Sequence, residues 1–231
     1  MSSFEKYDIA LYGHITIDKI FTKFSSQKTI GAMGNVWDAL ISTDSSLSID
    51  LKPTAIGEAI ILVDKKNTKR IGRGQLNLHT TNNIKVSKSN WHHIMYLNQL
   101  NDISFVDNIK DGIISADITA GKMKNLELLS KIDYLFISDE DLFMDIDELA
   151  KKVKGWVILH YPEGSYSSNG EESFSLDNEI LENVDVLGAG DIFAGSFMCN
   201  HLKQSDIKKC VMYAHSNTKR LLKKRKNGKE N

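Results

Sequence analysis

Short, continuous runs of apolar and β-branched residues, separated by segments with helical spacing, constrain this chain more than any other feature. The runs fall at 8–12, 94–97, 103–106, 113–116, 134–137 and 156–159. Their continuity, as opposed to strict alternation, is the pattern of strands covered on both faces. Between several of them lie helical patterns at 34–42, 122–130, 147–153, 190–202 and 206–223. In the last, Ile207, Cys210, Val211, Ala214 and Leu221 recur at helical spacing, which predicts one face packed on a sheet. Strands alternating with helices predict a three-layer α/β/α domain with a mainly parallel central sheet. Ligand chemistry in such a sheet gathers at the carboxyl ends of the strands.

Two segments break the alternation. Residues 59–64 and 71–78 flank the polar turn Lys65-Lys66-Asn67-Thr68, which predicts an antiparallel hairpin, not a helical crossover. The stretch Glu163 to Gly170, rich in Ser and Gly, is expected to be a turn or surface connection. His92 and His93 have no partner at zinc-site spacing and are expected to be edge or interface residues.

Composition matters mainly for what it excludes. A length of 231 residues, 41% hydrophobic and 26% charged, suits one globular core. The formal net charge of -1 gives no global field to attract nucleic acid or an anionic membrane. Basic residues crowd only the stretch 219–231, read as a solvated helix end rather than a nucleic-acid tail. Cys199 and Cys210 form no Cys-x-x-Cys pair and are expected to be reduced core thiols. No run approaches the roughly 18 apolar residues of a membrane span, and Met1 to Asp8 lacks the apolar core of a signal peptide. The expectation is a soluble, cytoplasmic protein.

The chemistry concentrates at Leu187-Gly188-Ala189-Gly190-Asp191, directly before an apolar helix. Small residues at 188–190 let several peptide N–H groups converge, and the following helix adds the positive end of its dipole, so the turn suits an anion such as phosphate. A carboxylate beside a phosphate costs Coulomb energy unless its charge is used to orient a hydroxyl and take its proton. Asp191 therefore points to phosphoryl transfer to an alcohol. Near the amino end, Asp18 follows the first strand, where a carboxylate can accept hydrogen bonds from neighbouring hydroxyls of a diol.

Asp185 to Asp191 resembles the Asp-Thr-Thr-Gly-Ala-Gly-Asp signature of the ribokinase-like, or pfkB, family of carbohydrate and nucleoside kinases. The resemblance implies that Asp191 is the catalytic base, that Gly188, Ala189 and Gly190 form the anion hole, and that Asp185 lies on the nucleotide side. Gly13 to Asp18 is similar to the family's amino-terminal Gly-x-x-x-x-Asp element, whose Asp binds the acceptor. Ile30 to Leu40 resembles Gly-Gly-x-x-x-Asn-x-Ala-x-x-Leu, which assigns Gly31 and Asn35 to the acceptor, although Ile30 replaces the first Gly and Trp37 a small residue. The family's Asn-x-x-Glu element, which organises magnesium, reads Ser138-Asp139-Glu140-Asp141 here, leaving Asp141 as the metal-side carboxylate. The nucleotide motif Thr-x-Gly-x-x-Gly keeps only Gly164, with Tyr161 at its first Gly, and Asn217 falls where the family has helix residues near the adenine.

By this resemblance the chain is one kinase domain over 1–231, shorter than usual, with 15–30 and 53–80 as β lid segments able to pair with those of a second subunit. The implied reaction is ATP- and Mg2+-dependent phosphorylation of a small sugar, polyol or nucleoside. The departures at Ile30, Ser138, Asp141 and Tyr161 motivate the alternative, a catalytically weak or inactive binding protein on the same fold.

Overall fold

A computed structural model describes residues 6–23, 25–63, 70–80, 84–119, 123, 126–181, 184 and 186–228. The chain divides into two compact units. One comprises 1–13, 46–54 and 82–179, the other 14–45, 55–81 and 180–231.

The first unit is built on a sheet. It takes the opening residues of β1 (Tyr7–Phe21) and β3 (Ile49–Val63), with β5 (Ser89–Met95), β6 (Ile113–Asp117), β7 (Tyr134–Ser138), β8 (Trp156–Tyr161), β9 (Gly164–Ser168) and β10 (Ser173–Asp177). The order is β10-β9-β8-β7-β6-β5-β1-β3. From β1 through β5, β6, β7 and β8 the pairing is parallel, and β9 and β10 close that edge antiparallel. Parallel strands covered on both faces explain the continuous apolar runs, since Ile9 to Tyr12, Leu135, Phe136, Val157 and Ile158 are all sealed from solvent. The crossovers are short. Among the described residues most of the turns are 3-10, and the one α-helix there, α2 (Ile146–Ala150), is capped by Asp145, whose carboxylate accepts from the amides of Asp147 and Glu148. The core on one face of the sheet joins Tyr12, Ile94, Phe105, Leu129, Leu135, Leu149 and Val157.

The second unit carries the rest of β1, paired antiparallel with β2 (Ser26–Ala32), and the rest of β3, paired antiparallel with β4 (Arg70–Thr80). The helices among its described residues are α1 (Met33–Thr43), α3 (Ala189–His201) and α4 (Ile207–Gly228). The expected lid segments thus lie in this unit as strands, while the turn Lys65 to Thr68 lies outside the described residues.

Several expectations need correction. Residues 103–106 are not a strand: a 3-10 helix spans Ser104–Asn108, and Phe105 and Val106 reach the core from that turn. A short apolar run cannot by itself distinguish the two conformations. Of the helix expected at 122–130, the part from 126 onward is a 3-10 helix, Leu126–Lys131, while 122, 124 and 125 lie outside the described residues. The Ser-rich 163–170 stretch is strand β9, with Ser165 and Ser167 fully buried, because its hydroxyls are small enough to be enclosed at the antiparallel edge. His92 and His93 are also fully buried, on the central strand β5.

Two consequences are measurable. A Cβ on Gly164 would lie 2.1 Å from the Leu176 carbonyl oxygen of β10. Gly164→Ala must therefore push β9 from β10, and urea titration should report a loss of about 1–3 kcal/mol. Burial also lowers the imidazole pKa of His92, His160 and His201 from the ordinary value of 6.5. Below that value the unfolded chain takes up protons that the native state refuses, so stability should fall as pH drops, by at most about 1.4 kcal/mol per pH unit per imidazole. A urea midpoint no lower at pH 5.5 than at pH 7.5 would contradict this.

Candidate active site

All of the acceptor-side and catalytic residues predicted from sequence lie in the second unit, and the site begins with a turn. The Val186 carbonyl accepts from the Ala189 amide at 3.0 Å, and Gly188 has φ 73° and ψ 14°. Those angles are the third position of a type II turn, which needs positive φ and hence glycine. The Gly188 carbonyl then accepts from the Ile192 amide and starts α3. Ala189 has thus already donated its N–H, whereas among the described residues nothing accepts from the Gly190 amide. Asp191 sits in the first turn, 7% exposed, and its Oδ2 accepts from Asn35 Nδ2 at 2.9 Å. Glycine at 188 is needed for this pair as well, because a Cβ there would lie 3.3 Å from both Asn35 Nδ2 and Asp191 Oδ2.

Asn35 arrives by a sharp junction. Ala32 ends β2 with φ 52° and ψ -122°, a strained region for any residue with a Cβ, and α1 begins at the next residue. Asp18 is buried on the opposite strand and accepts from Thr16 Oγ1 at 2.6 Å. Its carboxylate lies directly over Gly31, where a Cβ would come within 2.0 Å of Oδ2. Gly31 therefore exists to seat Asp18. Ile30, the departure from the family pattern, lays its Cγ2 where a Cβ on Gly34 would be, 1.9 Å away.

Close packing of α1 on α3 makes the Asn35–Asp191 contact possible. One turn further along both helices, a Cβ on Gly195 would lie 3.2 Å from Ala39 Cβ. Small residues at that crossing bring the helices near enough for an amide and a carboxylate to meet. Asn217 on α4 secures the arrangement: its Nδ2 donates to Thr43 Oγ1 on α1 and to Ser196 Oγ on α3, each at 2.8 Å. Its Oδ1 accepts twice from Arg220. With both amide hydrogens and its oxygen committed, Asn217 ties helices together and has no amide hydrogen left for an adenine.

The first unit holds a separate polar group at the carboxyl ends of its parallel strands. Ser138 Oγ donates to Asp141 Oδ2 at 2.7 Å, and Asp141 Oδ1 is buried with no hydrogen-bond partner among the described residues. Trp91 Nε1 donates to Ser115 Oγ at 2.6 Å, and that hydroxyl lies 2.7 Å from His93 Nδ1. The other ring nitrogen, His93 Nε2, lies 3.3 Å from Asp117 Oδ2. His160 on β8 is held below the ordinary histidine pKa by burial, against an opposing pull from Asp117, Asp139 and Asp141. Sequence reasoning missed His93, Asp117 and His160, because nothing in their spacing indicates that neighbouring strands align them. Gly164 is accounted for by the close approach of β10, and Asp185 lies outside the described residues. Among the described residues no three His, Cys, Asp or Glu side chains are arranged to hold a metal ion. No helix among them is long and apolar enough to cross a membrane.

Comparison with known proteins bears on this arrangement. Adenosine kinase from Sinorhizobium meliloti superposes with a TM-score of 0.76 at 14% identity, over 94% of each chain. Ribokinase from Thermotoga maritima gives 0.72 at 16% identity, over 92% of this chain and 91% of that one. A protein from E. coli described as a ribokinase II, in complex with ATP and Mg2+, gives 0.61 at 15% identity over 90% of both. Such low identities establish the fold alone. No curated protein sequence matches the chain. The family model for pfkB family carbohydrate kinases matches residues 77–217. The chain therefore belongs to the pfkB family of carbohydrate kinases, phosphotransferases of the ribokinase fold.

Proposed function

We propose that this kinase transfers the γ-phosphoryl group of ATP to a hydroxyl of a small sugar, polyol or nucleoside, with Asp191 as general base. The observation that carries the reading is the buried Asp191 carboxylate, oriented by Asn35 Nδ2 at 2.9 Å beside the Gly188 turn. A carboxylate has about four acceptor positions, and the bond from Asn35 to Oδ2 fixes its orientation. The acceptor oxygen attacks the γ-phosphorus, the bond to the β–γ bridging oxygen breaks, ADP leaves, and the hydroxyl proton passes to Asp191. Asp18, backed by Gly31, grips neighbouring hydroxyls of the acceptor, and Asn35 helps to position it.

Of the Gly188–Gly190 anion hole, the Gly188 and Gly190 amides and the positive end of α3 supply the stabilisation, because the Ala189 amide is spent within the turn. The Asp141 carboxylate suits a hard cation, and with no cluster of protein ligands among the described residues the ion would be held largely through water and phosphate oxygens. Mg2+ bound there would neutralise charge on the donor phosphates. Gly164, Asp185 and Asn217 serve the nucleotide side, Asn217 by holding the helices. The whole chain acts as one cytoplasmic kinase domain.

We further propose that the lid pairs two subunits. Its outer face exposes Ile17, Phe21, Ile30, Ile56 and Leu62 around the Lys19–Glu58 ion pair, with Ile17 and Ile30 directly opposed on β1 and β2. Sedimentation should give a dimer that becomes a monomer in Ile17→Lys/Ile30→Lys; a monomeric parent protein ends this idea.

The reaction is tested by ATP consumption across sugars, polyols and nucleosides, beside the isosteric Asp191→Asn. Turnover should fall by about 10²–10⁴ in the variant, while acceptor binding, read by thermal shift, persists. Undiminished turnover in Asp191→Asn removes Asp191 as base. Ligand binding without turnover in the parent protein supports the inactive binding protein instead.

A further inference from the structure

The basic stretch of α4, which sequence alone reads as a solvated helix end, contains an arginine, Arg225, whose side chain is only 33% exposed. Arg225 Nη1 donates to the Leu187 carbonyl at 3.1 Å, and its Nη2 lies 3.6 Å from Asp38 Oδ2 on α1. We propose that Arg225 is a positioning residue for phosphoryl transfer, holding the Leu187–Gly188 peptide in the one orientation that directs the Gly188 N–H at the transferred group. The proposal rests on the reading of the 186–191 turn as the phosphate site.

The argument is geometric. Type I and type II turns differ by a flip of the central peptide, which here joins Leu187 to Gly188. In a trans peptide the C=O and N–H point to opposite sides. With the Leu187 oxygen fastened to Arg225, the Gly188 N–H faces away from the guanidinium. Glycine makes this orientation accessible but does not enforce it, because glycine populates positive and negative φ about equally. A charged donor on the carbonyl supplies the missing bias, since hydrogen bonds from ionised donors are roughly twice as strong as neutral ones. The Leu187 side chain packs with Ile20, Ile61 and Val63, which fixes the residue but not the plane of its peptide. The contact to Asp38 lies one turn along α1 from Asn35, so the same guanidinium references the turn to the helix that orients Asp191.

The test uses the full chain labelled with 15N. Inorganic phosphate is titrated and the Gly188 amide resonance followed, with turnover measured on whichever acceptor the ATP screen supports. In Arg225→Gln, phosphate affinity should fall roughly tenfold and kcat should fall with little change in acceptor KM, while Arg225→Lys recovers most of both. Asp38→Asn removes the ion pair but keeps the carbonyl bond, and should leave phosphate affinity within about twofold. A folded Arg225→Gln protein with parental phosphate affinity overturns the proposal. Loss of melting temperature without a change in affinity overturns it as well, since it reduces Arg225 to a structural tie. If Arg225→Gln does not fold, Arg225→Lys and Asp38→Asn carry the comparison: the proposal stands only if both bind phosphate near the parental affinity. Undiminished turnover in Asp191→Asn would instead discard the underlying site, whatever the Arg225 variants do.

Discussion

The contact between Asn35 and Asp191 is the constraint on which the second unit depends. Burying a carboxylate is costly unless hydrogen bonds replace the water it loses, and the Asn35 amide is one such replacement. That bond demands that α1 and α3 approach closely, which Ala39 and Gly195 permit at the adjacent turn. It demands that nothing fill the space beside the pair, which Gly188 provides. It also requires the helices to stay in register, which Asn217 secures by bonding to both. The residues around the site are thus small where backbones must meet and amide-bearing where charge must be held.

The first unit solves a different problem with little chain. Parallel strands need crossovers, and long helices usually supply them. Here 3-10 turns and the five-residue α2 do so, and their apolar residues still cover one face of the sheet. Short crossovers leave the carboxyl ends of β5 to β8 crowded with polar side chains, among them His93, Asp117, Ser138 and His160.

What could be read in the sequence follows from how local each feature is. The Gly188 turn, Asp191 and α3 are contiguous, and glycine at positive φ followed by a helix start leaves a local trace. Gly31 and Asp18 are legible only through a motif, because the reason for the glycine lies on another strand. Asn217 was located correctly on its helix, but its partners Thr43, Ser196 and Arg220 could not be inferred from spacing. The same holds for Arg225, which looks like any other member of a basic run until the Leu187 carbonyl is brought to it. β9 escaped notice for another reason: its burial is achieved with serine, so hydrophobic periodicity carries no signal there.

Three departures from the family pattern, Ile30, Ser138 and Asp141, are matched by a neighbour, and this bears on whether they mark decay. Ile30 would be intrusive above a residue with a side chain, yet it lies over Gly34, which has none. Asp141 is one methylene shorter than the Glu it replaces, and Ser138, itself a replacement, holds one of its oxygens while the other is buried with no hydrogen-bond partner among the described residues. A site that has lost its chemistry has no physical reason to keep a buried carboxylate oxygen without a partner, which costs desolvation free energy for no structural return. In the second unit, taken by itself, the strained Ala32 junction that delivers Asn35 to Asp191 favours a site arranged to bind charge over a relic of one.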